Sequence, residues 1–317
     1  MSSRRRTSRI RALRYLIEGW TFSFTAAAFR RMPLRGAFLV VALLSRLGYA
    51  VSLRRRRLMM QNLEFAFGTE KTRSERKRIA RLCFLNLGYA FAEFCRIPLL
   101  SKDNLAEFVE VEHFEYAQEA LDEGKGVILL SAHLGNWEML GPSGTLLSLP
   151  LKLVVRPLRN PHVDAIVTGI RTCHGTDVIH KKGAGLGAVR ALKAGKAIGI
   201  LLDQRARRGA VVTKFMGHDA PTTMVPALIA LSTGAHIVPV FCIRVRPGAH
   251  KLVFEKAVEM EVTGDRDYDA AINTQRLQDI IERYVRTYPE QWLWPYHRWK
   301  PHHRAKPMPQ RPVQPSA

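Results

Sequence analysis

His133 and Glu138 stand five residues apart in Ser131-Ala132-His133-Leu134-Gly135-Asn136-Trp137-Glu138, directly after the apolar run Gly126-Val127-Ile128-Leu129-Leu130. Such a run reads as a buried strand, and the carboxyl end of a strand is where α/β proteins place reactive groups. An imidazole of near-neutral pKa can take a proton from a hydroxyl, while a carboxylate fixes its tautomer and stabilises the imidazolium. Residues five apart do not share one helix face. The pair therefore works as a base and its orienter only with His133 on the turn and Glu138 on the helix that follows. The same residues fit a plainer reading, a histidine capping a strand end and a glutamate in solvent.

Asp203-Gln204-Arg205 closes a second apolar run, Ile198 to Leu202, and so is expected on the same rim. Its plainer reading is an aspartate capping a turn, with Arg207 and Arg208 in solvent. Arg156, Arg159 and Arg171 carry guanidinium forks suited to phosphate. No nucleophile motif competes, because Gly141-Pro142-Ser143-Gly144 is not G-x-S-x-G and Ser131 precedes the turn. Cys83, Cys95, Cys173 and Cys242 are widely spaced and form no C-x2-C pair, so they read as reduced thiols; neither zinc nor a cofactor is expected. Gly183-Ala184-Gly185-Leu186-Gly187 lies twenty residues before Asp203 but lacks the G-x-G-x-x-G spacing of a dinucleotide site, and reads as a turn into a helix.

These groups need a rigid frame, and the pattern supplies one. Residues 105–260 alternate short apolar runs with helical spacings, which predicts an α/β fold with a mostly parallel sheet flanked by helices. Expected strands are 126–131, 151–155, 197–202, 236–245 and 251–259. Expected helices lie near 114–123, 136–148, 161–173, 185–194, 222–233 and 269–287. Ahead of them, residues 72–100 read as a helix capped by Thr72 or Ser74, with an apolar stripe from Ile79 to Phe94 and a stop at Pro98.

The net charge of the 317-residue chain is +22, and residues 1–57 hold fourteen arginines against the single Glu18. So basic an end calls for a polyanion, either nucleic acid or an anionic membrane face. The apolar stretches between the arginines, Leu16 to Phe29 and Pro33 to Leu53, favour the membrane and argue against nucleic acid. Arg46 interrupts the second stretch, so a spanning helix and an interfacial or re-entrant anchor both fit, beside the plain reading of a buried first helix between solvated arginines. The division expected is a basic and apolar membrane-associating segment over 1–57, a catalytic domain over 58–300, and a loose Pro-rich basic tail over 301–317.

From about Arg54 to Lys300 an ordered set of motifs resembles the lysophospholipid acyltransferase superfamily, and within it the bacterial lipid A biosynthesis acyltransferases (lauroyl and myristoyl transferases). The set comprises Arg57-x4-Gln61-Asn62-Leu63, the H-x4-E segment, Val155-Arg156-Pro157-Leu158-Arg159-Asn160-Pro161, Leu202-Asp203-Gln204, Phe215-Met216-Gly217, Thr222-Thr223 with Pro226, Pro239-Val240, and Pro289-Glu290-Gln291-Trp292-x-Trp294-x2-His297-Arg298-Trp299-Lys300. Met216 departs from the more usual aromatic of the Phe-Phe-Gly segment. The resemblance implies transfer of a fatty acyl chain to a hydroxyl of a phosphorylated glycolipid, a lipid A precursor, from an acyl carrier protein or acyl-coenzyme A thioester. It implies an enzyme at the inner membrane with its site on the cytoplasmic face. It makes His133, Glu138 and Arg171 the catalytic set, with Arg171 either meeting the developing oxyanion or tightening the His133–Glu138 arrangement. Asn136, Arg156, Arg159, Asn160, Asp203 and Gln204 are the expected substrate contacts, and transfer is expected to be direct, without an acyl-enzyme. Two other readings stand beside it: acylation of another glycolipid such as phosphatidylinositol mannoside, and a non-catalytic basic protein of a membrane surface or of nucleic acid.

Overall fold

A computed structural model describes residues 2–180, 184–206 and 209–311. Gly183 of the glycine-rich turn, and Arg207 and Arg208, lie outside the described residues. Among the described residues nine strands form: β1 Val109–Glu112, β2 Val127–Ser131, β3 Leu151–Val155, β4 Asp177–His180, β5 Ala197–Leu201, β6 Ala210–Phe215, β7 His218–Thr223, β8 His236–Arg246 and β9 Ala249–Phe254. The helices are α1 Ser2–Arg31, α2 Leu34–Val51, α3 Leu53–Phe67, α4 Arg73–Arg96, α5 Leu105–Phe108, α6 Glu115–Asp122, α7 Leu140–Leu146, α8 Pro161–Thr172, α9 Ala184–Lys193, α10 Val225–Thr233 and α11 Arg266–Thr287.

Seven strands make one sheet in the order β1-β9-β8-β2-β5-β3-β4, parallel except for the β8–β9 pair. This is the mixed α/β fold expected, with β2 at its centre. Every residue of β2 is buried, and its neighbours explain why: Ile128 and Leu130 join the core on one face of the sheet, Val127 and Leu129 the core on the other. A strand covered by helices on both faces must be a continuous apolar run. The expected strands fall within a few residues of the observed ones. The structure adds β1, β4 and the separate hairpin β6–β7, and it moves the start of the 222–233 helix to Val225 because Thr222 and Thr223 belong to β7. These additions are short or polar strands, whose pattern is weak. Met216, the departure in the Phe-Met-Gly segment, sits at φ 54° with Gly217 at φ 79° in the β6–β7 turn, a corner that favours residues without branched side chains.

Helix α4 starts at the predicted cap. Thr72 accepts from the Glu75 amide at 3.3 Å while the Glu75 carboxylate accepts from the Thr72 amide at 2.7 Å, so each satisfies an otherwise open N–H. At the other end, α1 and α4 finish each other. Arg96 donates to the carbonyls of Phe29 (2.7 Å) and Met32 (2.6 Å), and Arg30 donates to that of Cys95 (2.9 Å). Two arginines at helix carboxyl ends offset the partial negative charge of the open carbonyls there. The charge-dense amino end is thus partly structural.

Helix α2 lays Ala37 and Val41 against α4 and leaves Leu39, Val40, Leu43, Leu44, Leu47 and Val51 exposed. On α1, Ile10, Leu13, Ile17, Trp20 and Phe24 are exposed as well, Trp20 to 76% and Phe24 to 77%. Leu34–Val51 and Arg73–Leu99 are long and apolar enough to cross a membrane, but the second of these spans packs into the core through the buried residues of α4. The division expected after Arg57 falls inside α3. The tail is laid down as far as Lys306, which accepts from the Val212 amide at 2.8 Å and donates to the Ala210 carbonyl at 2.9 Å along the open edge of β6; residues 312–317 lie outside the described residues.

The close approach of α2 to α4 depends on Gly88, where a Cβ would stand 2.4 Å from Ser45 Oγ and 2.7 Å from Val41 Cγ1. Gly88→Val is expected to force the two helices apart at a cost of about 1–3 kcal/mol, read as a lower melting temperature in detergent. Gly169→Ala, with nothing within 4 Å of its Cβ position and a place inside helix α8, should instead raise the melting temperature slightly, by about 0.5–1 kcal/mol of helix propensity.

Candidate functional site

The parallel register of β2 with β5 decides which carboxylate meets His133. Ser131 stands opposite Leu201, so His133 and Asp203, each two residues further on, leave adjacent strands side by side. The Leu202 amide donates to the Ser131 carbonyl at 3.0 Å and extends the pairing to the rim. His133 Nδ1 then lies 2.8 Å from Asp203 Oδ1, and the His133 amide donates to Asp203 Oδ2 at 3.0 Å. Trp292 Nε1 donates to the same Oδ2 at 2.8 Å. The carboxylate only accepts, so Nδ1 carries the ring proton and Nε2 is left with the lone pair.

The sequence-based pairing of His133 with Glu138 is corrected on this point. Glu138 sits on a single 3-10 turn, Trp137–Met139, and its oxygens are taken by Arg171, from Nε at 2.8 Å and Nη2 at 2.6 Å. Trp137 Nε1 adds a longer bond of 3.2 Å, and the Trp137 ring stands 5.2 Å from the imidazole centroid to centroid. Of the two alternatives for Arg171, the structure places it in a fork–fork grip on Glu138. A glutamate at the start of a helical turn was legible; the direction of its side chain was not.

The turn itself is pinned from below. Gly135 has φ 62°, and a Cβ there would stand 2.0 Å from the Cys242 carbonyl oxygen. The Gly135 amide donates to the Gln291 carbonyl (3.0 Å), the Asn136 amide to the Cys242 carbonyl (2.8 Å), and the Leu293 amide to the His133 carbonyl (3.1 Å). The Trp292–Trp299 segment is thereby bound to the turn as a short antiparallel bridge, Leu134 to Trp292.

The remaining expected contacts divide. Gln204 Nε2 lies 3.1 Å from His133 Nε2, so the amide covers the lone pair in the open site. Arg156 and Arg159 are exposed in the loop between β3 and α8. Asn136 and Asn160 do not face the site. Asn136 is fully buried and its amide donates to Glu93 at 2.8 Å. Asn160 caps α8 through Oδ1, which accepts from the amides of His162 and Val163, and donates to the Tyr15 carbonyl and Glu18 on α1. An asparagine before proline at a helix start is the expected cap, and that local duty explains its place. Ser131 and Ser143 are buried, in line with the lack of a nucleophile motif. Among the described residues no three His, Cys, Asp or Glu side chains cluster as metal ligands.

Burial opposes a charged imidazole, but the Asp203 charge and hydrogen bond outweigh it and hold His133 above the ordinary histidine range, with Glu138 adding to the effect. Asp203 is held below the usual carboxylate range: burial raises it, and His133 together with the Trp292 and backbone donors lowers it further. A base whose unprotonated nitrogen is met by the exposed Gln204 amide, oriented by a buried acid and bordered by a neutralised Glu138–Arg171 pair, can accept a proton from a hydroxyl that displaces that amide and hold the resulting charge.

Comparison with known proteins agrees in kind. The profile of the family described as bacterial lipid A biosynthesis acyltransferase matches residues 4–301. The chain is 26% identical to a lipid A biosynthesis lauroyltransferase of Escherichia coli (strain K12) over 251 residues, 78% of this chain and 79% of that one. A lipid A biosynthesis palmitoleoyltransferase of the same organism is 26% identical over 250 residues, 78% and 79% of the two chains. A phosphatidylinositol mannoside acyltransferase of Mycolicibacterium smegmatis (strain ATCC 700084 / mc(2)155) is 26% identical over 204 residues, 63% of this chain and 65% of that one.

His133 is raised on folding, so its pairing adds stability that is fully present below the unfolded histidine pKa and is lost as pH rises through the folded value. Asp203 is lowered, so its share is present above the unfolded aspartate pKa and is lost as pH falls through the folded value. Titration of the His133 ring by NMR is expected to give a midpoint above the unperturbed value of about 6.5. In Asp203→Asn the midpoint should fall; an unchanged midpoint would show that the carboxylate does not govern the ring.

Proposed function

The chain belongs to the bacterial lipid A biosynthesis acyltransferase family and is an acyl-transferring enzyme, and from that premise we propose that it moves a fatty acyl chain from an acyl thioester to a hydroxyl of a lipid A precursor with His133 as general base. The observation that carries the mechanism is the His133 ring held at Nδ1 by Asp203, with Nε2 facing outward. An acceptor hydroxyl replaces the Gln204 amide at Nε2 and gives up its proton there as its oxygen attacks the thioester carbonyl. The tetrahedral intermediate then collapses, the C–S bond breaks, and the thiolate takes the proton from the imidazolium. Asp203 stabilises that imidazolium, as a buried carboxylate does in hydroxyl-activating triads.

Glu138 and Arg171 act as a pair. The guanidinium neutralises the glutamate, and its remaining N–H groups supply positive charge on the Glu138 side of the reacting centre. Exposed Arg156 and Arg159 are suited to the acceptor's phosphate or to the donor's phosphopantetheine, which acyl carrier protein and coenzyme A share. The exposed apolar faces of α1 and α2, flanked by arginines, support association with an anionic membrane surface, in which a lipid acceptor is presented to the rim of the sheet.

In a folded, membrane-extracted enzyme, His133→Ala should abolish transfer, and Asp203→Asn should lower kcat by about 10²–10⁴-fold. Glu138→Gln and Arg171→Ala should lower kcat to a similar level, with the double variant little worse, because the two side chains act as one unit. Mass spectrometry of lipid extracts from cells with and without the protein identifies the product by one added acyl group. Substantial transfer by His133→Ala would remove the general base, and an acyl gain on a glycolipid other than a lipid A precursor would reassign the acceptor.

The full chain is expected to sediment with membranes and to stay there through a high-salt wash, since apolar burial does not weaken with salt as ion pairing does. A chain lacking residues 1–53 should wash off more readily. A full chain freely soluble without detergent would contradict the anchor.

A further inference from the structure

A second buried carboxylate lies beneath the catalytic turn. Glu93, on α4, is almost fully buried and accepts from five donors: Arg244 Nη2 at 2.5 Å and Nε at 3.4 Å, Asn136 Nδ2 at 2.8 Å, the Gly248 amide at 3.1 Å and His250 Nε2 at 3.2 Å. Burial alone would raise its pKa, but Arg244 and His250 hold it down at about 2. Arg244 is itself fixed, donating through Nη1 to Asn86 at 2.9 Å, with its backbone closed in a two-way pair with the Gln291 amide (2.9 and 3.0 Å).

Two of these groups, Asn136 and Gln291, join the network to the turn that carries the chemistry. Asn136 stands midway between His133 and Glu138, and its carbonyl accepts from the Met139 amide to start the 3-10 turn that aims Glu138 at Arg171. Gln291, held by Arg244, accepts the Gly135 amide and immediately precedes Trp292, the donor to Asp203. A cavity of about 50 Å³, lined by Glu93, Met139, Gly248 and His250 among others, lies against the turn on the Glu93 side. Where partner atoms are missing, a side chain is located by its polar bonds.

We propose that Glu93 is a positioning residue, which through Asn136 sets the height and rotation of the His133–Glu138 turn and so the aim of both His133 and Glu138. The proposal rests on the reading of His133 as the base. The ion pair with Arg244 is the fixed support, and the Asn136 amide is the link from that support to the turn. A displacement of about 1 Å at a reacting group costs on the order of 10²-fold in rate, whereas binding contacts on the exposed arginines are untouched.

The test uses the full chain in detergent with an acyl carrier protein thioester and a lipid A precursor. Asn136→Ala severs the link while leaving Glu93, Arg244 and His250 paired, so no buried charge is orphaned. Its kcat is expected to fall about 10–100-fold with KM within about twofold, and its melting temperature to fall less than that of Glu93→Gln, because one buried hydrogen bond is lost but the ion pair is kept. Glu93→Gln should show the same kcat loss with a lower melting temperature, and the double variant should be no slower than the slower single one. The His133 Nδ1 proton, observed by NMR without any substrate, should shift in Asn136→Ala as the Asp203 bond is realigned. Should Glu93→Gln not fold, Asn136→Ala decides. Wild-type kcat or an unshifted Nδ1 proton in folded Asn136→Ala overturns the proposal. A wild-type enzyme that transfers no acyl group would instead overturn the functional reading, and the Nδ1 signal would still decide the role of Glu93.

Discussion

Burial of the Asp203 carboxylate is the constraint on which the site depends. An ionised carboxylate removed from water costs several kcal/mol unless donors replace its hydration. Here the replacement comes from three directions: the His133 ring, the His133 amide and the Trp292 indole. Each donor belongs to a different stretch of the backbone or to a different part of one residue, so the carboxylate is satisfied only when β2, β5 and the carboxyl-terminal tryptophan segment are all in place. Assembly of the core and assembly of the base are in this sense one event.

Three acids, two of them buried, surround a single six-residue turn, and each has its own nitrogen partner. Asp203 faces His133, Glu138 faces Arg171, and Glu93 faces Arg244 with His250. The pairing matters for proton transfer. Left unpaired, Glu138 would compete with Asp203 for influence over the ring; gripped by Arg171, it contributes little net charge, and the tautomer is left to Asp203. Removing one member of such a pair leaves the other charged and buried, which is costlier than the pair is favourable. Other buried bonds close the Trp292–Trp299 segment. Asn62 donates to the carbonyls of Trp294 and Tyr296, and buried Arg298 is held by Thr222, Gln278 and the Pro221 carbonyl.

The amino-terminal helices connect this core to their own surroundings by two kinds of arginine. Arg30 is spent on closing α4, as Arg96 is on closing α1, so neither is free for a polyanion. Others, such as Arg54 and Arg55, are exposed beside apolar side chains that no described part of the protein covers. Long cationic side chains beside uncovered leucine and aromatic residues suit the boundary between lipid headgroups and acyl chains. Asn160 ties this region to the sheet, since one asparagine both caps α8 and binds α1, and the β3–α8 loop with Arg156 and Arg159 lies between them.

By itself the sequence determined what rests on local pattern. Apolar runs buried on both faces named the central strands, Thr72 and Glu75 named the start of α4, and the position of His133 just beyond a strand end placed it on the rim of the sheet. Residues whose roles are set by neighbours in the chain were legible because the neighbours are printed beside them. The partner of His133 was decided only in the tertiary structure. Asp203 is seventy residues away, and it reaches the ring because two parallel strands are in register at Ser131 and Leu201. Glu138 is five residues away, and its turn points it at Arg171 instead. Glu93, Arg244 and His250 were not found at all, since a glutamate in an amphipathic helix, an arginine on β8 and a histidine on β9 read as surface until the fold buries them together. A charge's partner depends on strand register and helix rotation, and neither is fixed by the residues next to it.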